Sequence, residues 1–139
     1  LRYAKLLIEN NKVGNLELEE AYNQYEYLIQ AKAPEIIVNR AKLDRAYVFE
    51  LEGKMDKAVD EFAAIADAEG LPKYTTAEAA FAAGRIAVQN GQLERGMPYL
   101  QKAAAALNVA YENATFSDVA ADFYARQAAS MLKLMNKQK

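Results

Sequence analysis

The chain has 139 residues and a mass of 15.4 kDa, with 53% hydrophobic and 26% charged residues, which suits one folded domain and excludes a wholly disordered chain. The formal net charge is −2, made of 9 Lys+Arg against 14 Asp+Glu in residues 1–70 (−5) and 8 against 5 in residues 71–139 (+3), so no broad basic surface for nucleic acid is expected. With no His and no Cys, the sequence excludes imidazole acid/base chemistry, a Ser-His-Asp arrangement, a zinc site built on thiolate or imidazole, and any disulfide.

Taken in chain order, the pattern is helical throughout. Tyr3, Leu6, Leu7 and Asn10 to Asn11 read as the end of a first helix, and NKVGN as a turn. Asn15 is placed to cap a second helix from about Leu16 to Ala31, whose Leu18, Ala21, Tyr22, Tyr25, Leu28 and Ile29 share one face. Pro34 fits the first turn of a third helix that runs to about Glu52 and stops at Gly53. A fourth, from about Met55 to Glu69, carries Met55, Ala58, Val59, Phe62 and Ile65 toward a core before the breaker EGLPKY. TTAE at 75–78 has capping-box form, so a fifth helix is expected to start at Thr75 and end at Gly91. A sixth is expected from about Leu93 to Glu112, with an irregular first turn around Gly96 and Pro98. TFSD at 115–118 has a similar form, with Thr115 as N-cap of a seventh helix ending near Asn136. No strand-period stretch of useful length remains, and no apolar run approaches the roughly 18 residues needed to cross a bilayer. The chain opens on Leu1 inside a helical pattern, without Met or a visible signal peptide. A fragment or processed product of a longer chain is therefore expected, and an upstream anchor or signal could have been removed. The compartment stays open between cytoplasm and periplasm.

The segments ELEGKMDKAVDEF (50–62) and VQNGQLERGMPYL (88–100) align when Gly53 is laid on Gly91, an offset of 38 residues. Ala46 then falls on Gly84. Across the second, fourth and sixth helices, Leu18, Met55 and Leu93 form one column; Ala21, Ala58 and Gly96 a second; Tyr25, Phe62 and Leu100 a third; Leu28, Ile65 and Ala103 a fourth. Small residues in such columns let antiparallel helices approach closely, and the large ones fill the space between hairpins.

RAYVFELEGKMDKAVDEFAAI and AGRIAVQNGQLERGMPYLQKA resemble the tetratricopeptide repeat family, a small residue in the first helix being followed by a turn Gly and then by small, large and small residues in the second. The likeness covers residues 39–108 well and 3–31 in part, where NKVGNLELEE carries about five extra residues at the turn. It departs from the family at Lys42, Ala80, Arg45, Gly96 and Pro98, so a divergent, bacterial-type member is expected. The resemblance implies an all-α, antiparallel helix-hairpin array, a right-handed solenoid of about seven helices. Its units would span about 1–33, 34–72 and 73–113, with a capping helix at 115–137.

In that family the first helix of each pair lines a concave, partner-binding face. The positions this implies are Arg40, Leu43, Tyr47, Glu50 and Leu51 in one unit and Glu78, Phe81, Arg85, Val88 and Gln89 in the next. Tyr47, Phe81 and Arg85 stand out, because aromatic residues and Arg dominate interface energetics; burial between repeats is the alternative for Tyr47 and Phe81. The family's Lys/Asn carboxylate clamp has no counterpart at Leu43, Tyr47, Phe81 or Arg85. The acids Asp60 and Glu61, and Asp118 and Asp122, read as solvated faces, and the Tyr residues as core or half-buried. Lys133, Leu134, Met135, Lys137 and Lys139 form a basic helix end, read as solubilising. The expected function is a scaffold that binds a protein or peptide, with no enzyme activity, cofactor, nucleic acid or direct membrane insertion. The alternatives are a self-associating structural module, hence a homo-oligomer, or the soluble part of a membrane-anchored envelope scaffold.

Overall fold

The computed structural model describes residues 15–107 and 115–137. The expected first helix, and the stretch in which the sixth was to end at Glu112, lie outside them. The described residues are all-α, without strand: α1 (Asn15–Gln30), α2 (Glu35–Leu51), α3 (Met55–Asp67), α4 (Lys73–Gln89), α5 (Leu93–Ala104) and α6 (Phe116–Lys137). None of these helices is long and apolar enough to cross a membrane. The chain divides into two compact units, Leu1–Glu61 and Phe62–Lys139, with the boundary inside α3.

The offset of 38 residues governs backbone geometry as well as side chains. Pro34 and Pro72, 38 apart, are the N-cap residues of α2 and α4, at φ −51°, ψ 144° and φ −57°, ψ 146°. Their fixed φ suits the position and their missing N–H is not needed there. Each carbonyl accepts the first helical bonds, from Ile37 and Val38 N–H at 2.9 and 3.0 Å and from Thr75 and Thr76 N–H at 3.0 and 3.2 Å. Both 17-residue helices then end alike. Gly53 (φ +76°) and Gly91 (φ +78°) take the left-handed conformation. Gly53 N–H donates to the Glu50 carbonyl and Lys54 N–H to that of Phe49; Gly91 N–H donates to Val88 and Gln92 N–H to Ala87. This is the paired closure of a Schellman motif, in which glycine carries no Cβ penalty.

In the first unit α1 packs on α2. Leu18, Ala21 and Tyr25 form the stripe that meets Ala41 and Val48, with Tyr22, Leu28, Ile29 and Leu51 packed around them. Arg45 of α2 ties three helices, bonding Glu26 of α1 and Glu61 of α3, the latter at 2.9 Å. Burial pulls the guanidinium pKa down, but these two carboxylates outweigh it and leave it raised. In the second unit α4, α5 and α6 pack on one another. A Cβ on Gly84 would lie 2.6 Å from Leu100 Cγ, and one on Gly96 would lie 2.8 Å from the Gly84 carbonyl oxygen. Two glycines thus let α4 and α5 cross at backbone contact, with Leu100 seated over Gly84. α6 joins them through Ala121, Ala125 and Ala128, all fully buried. Three aligned columns share their burial: Ala21, Ala58 and Gly96; Tyr25, Phe62 and Leu100; Ala46 and Gly84. The column of Leu18, Met55 and Leu93 does not, because Leu93 is exposed.

Four boundaries differ from expectation. α4 begins behind Pro72 rather than at Thr75, so TTAE lies within the helix and is no capping box; the Thr75 hydroxyl is buried without a hydrogen-bond partner among the described residues. Pro34 is the N-cap rather than a first-turn residue. α5 is continuous from Leu93 with Pro98 inside it, the ring turned to solvent, and it stops at Ala104. There the helix tightens, Ala106 and Leu107 N–H donating three residues back to Ala103 and Ala104. α3 ends at Asp67, two residues early. At α6 the TFSD box forms as expected: Asp118 N–H donates to Thr115 Oγ1 at 3.2 Å, while Thr115 N–H donates to Asp118 Oδ2 at 3.1 Å.

Candidate interaction surface

α2 and α4 carry the ten expected face residues, and both helices are buried around most of their circumference. Ten of the 17 residues of α4 are buried, and in α2 they include Asn39, Ala41, Leu43, Asp44, Ala46, Val48 and Phe49. A helix enclosed in this way leaves only a narrow edge for a partner. Leu43, 1% exposed, and Glu78, 4% exposed, belong to the interior, and Leu51 packs against the first unit's core. Leu43 and Glu78 are thus turned inward, while Leu51 is half-buried. Arg40 is half-buried, its Nε and Nη2 donating to Asp44 Oδ1 at 3.1 and 2.9 Å. Tyr47, Glu50 and Val88 are also half-buried.

The remaining three residues meet in the second unit. Phe81, Arg85 and Gln89 are spaced i, i+4, i+8 and line one edge of α4. Arg85 Nη1 donates to Gln89 Oε1 at 3.2 Å, which holds the guanidinium along the helix. The Phe81 ring lies 6.3 Å from that of Tyr124 on α6, and Tyr124 meets Phe123 edge-to-face at 5.1 Å. Phe123 is 57% exposed. The result is a row of three rings beside a cation and a carboxamide, able to take apolar side chains and to donate hydrogen bonds to carbonyl or carboxylate oxygens. Sequence reasoning missed the two α6 rings; the adjacent pair Phe123 and Tyr124 was the available signal.

Of the acids read as solvated, Asp60 is exposed, and Glu61, Asp118 and Asp122 have structural partners. Asp122 is buried and accepts from Arg126 Nε at 2.7 Å, and Glu61 holds Arg45. Asp118 caps α6, and the Thr115 backbone N–H and hydroxyl, with a smaller contribution from Lys73, hold its carboxyl below the usual range. Asp67 is lowered too, first by the Tyr99 hydroxyl at 2.8 Å and then by Lys102 at 3.1 Å. Among the described residues no group of acids gathers as a metal site. A depression of about 490 Å³ in the first unit is lined by Glu19, Tyr22, Asn23, Phe49, Glu52, Lys54 and Lys57. Three of its four charges are engaged, Lys54 pairing with Glu52 at 3.2 Å and Lys57 sitting 5.7 Å from the Phe49 ring centre, while Glu19 is exposed.

Comparison with protein-family models, with curated proteins and with solved structures returned no match.

Proposed function

We propose that the chain is a divergent tetratricopeptide-like array, a solenoid of about seven helices closed by α6, and that it holds a peptide or partner helix without catalysing a reaction. The shared offset of 38 residues at Pro34 and Pro72, Ala46 and Gly84, and Gly53 and Gly91 supports the repeat. The observation that carries the functional reading is the row of Phe81, Tyr124 and Phe123 beside Arg85 and Gln89. These residue types supply rigid apolar area and directed donors, the usual anchors of a protein interface.

The test is affinity capture from a lysate of the source organism. The native domain is compared with a Phe81→Ala, Arg85→Glu, Phe123→Ala variant whose helicity is verified by circular dichroism. A partner held by the native domain and lost by the variant is expected. Equal retention by both would move the function off this edge.

A further inference from the structure

Two helix faces bear large apolar side chains in water. On α1, Leu16 and Tyr27 are 80% and 72% exposed and stand opposite the buried stripe of Leu18, Ala21 and Tyr25. On α6, Phe123 and Leu134 are 57% and 62% exposed and stand opposite the buried Ala121, Ala125 and Ala128. The residues of each exposed pair are 11 positions apart. Eleven residues are three helical turns, so each pair spans about 16 Å on one face. The flanking charges are opposite. Glu19 and Glu20 lie within about a turn of Leu16, and α1 contains no Lys or Arg; Lys133 and Lys137 lie within a turn of Leu134, and no acid follows Asp122 in α6. All four of these charged residues are exposed.

We infer that the α6 face of one copy of this chain docks antiparallel on the α1 face of a second copy. In that register Tyr27 meets Phe123 and Leu16 meets Leu134 across the two molecules. The acidic start of α1 then lies against the basic end of α6, and the helix dipoles oppose favourably. The equal 11-residue spacing and the opposite charge select a second copy over an unrelated acidic helix. The pairing joins two different surfaces, so it is either reciprocal in a two-fold dimer or repeated along an open chain. It does not rest on the peptide-binding reading, with which it shares only Phe123, and its test leaves that residue intact.

The experiment is sedimentation equilibrium on the 139-residue chain from micromolar to millimolar concentration, at low and high salt. The native chain is expected to exceed 15.4 kDa as concentration rises, less so in high salt. Leu134→Glu and Leu16→Glu should each remain monomeric, and both positions are exposed enough to leave folding intact. Glu19→Lys with Glu20→Lys, and Lys133→Glu with Lys137→Glu, should each weaken association roughly five- to tenfold. Mixing these two charge-reversed variants should restore binding between unlike copies at the α1 face of one and the α6 face of the other. A native chain that stays at monomer mass throughout, a Leu134→Glu chain that associates like the native one, or a mixture no stronger than its components would each overturn the inference.

Discussion

Gly84 lies so close to α5 that a Cβ would approach Leu100 Cγ to 2.6 Å and the Leu100 backbone nitrogen to 2.9 Å. The nitrogen cannot rotate away as a side chain can, so a larger residue must push the helices apart. Gly84→Leu is expected to destabilise the fold by about 2 to 3 kcal/mol through overpacking, read as a fall in melting temperature. An unchanged melting temperature would remove Gly84 from the crossing. Thr75 presents the opposite case. Its hydroxyl is fully buried with no partner among the described residues, so its desolvation is uncompensated. Thr75→Val keeps the shape of the side chain and should stabilise by about 1 kcal/mol in urea denaturation. The small-residue column made Gly84 legible in the sequence. Thr75 was not, because a Thr followed three residues later by Glu is also the signature of a cap.

At the scale of elements, TTAE and TFSD read alike and fold differently. Before TTAE stands Pro72, whose pyrrolidine ring already fixes the N-cap geometry and whose carbonyl takes the first bonds, so α4 starts early. No proline precedes TFSD, and there the Thr115 and Asp118 exchange forms. Because Asp118 is held below the usual carboxylate range, its contribution is present above the unfolded value of about 4 and is lost as pH falls through the lower folded value. The melting temperature of the native chain should therefore drop more between pH 6 and pH 3 than that of Asp118→Asn. Equal drops would contradict the cap. The same reasoning explains the missed end of α5: AAAALN contains neither Gly nor Pro, and the helix stops by tightening its last hydrogen bonds. Pro34 and Pro72 also share the offset of 38, which a helix start at Thr75 conceals.

For the whole molecule, the helical class was legible because small residues, large residues and turn glycines each leave a periodic trace. The candidate face was less so. Expectation placed five residues of α2 and five of α4 on one surface, but burial nearly all round these helices turns Leu43 and Glu78 inward. In α4 the many Ala residues let neighbours approach on several sides, so no single apolar stripe marks its outward edge. What α4 leaves open is completed by rings from α6, an element far along the chain, and such a pairing leaves no local pattern. The functional claim thus rests on the edge of Phe81, Arg85 and Gln89 with Tyr124 and Phe123. Its most direct test is a photo-crosslinking side chain at Gln89, beside the rings, compared with one at Glu94, exposed near the start of α5. A protein adduct from position 89 and not from 94 is the predicted result; adducts from 94 alone, or none from 89 while a partner is bound, would contradict it.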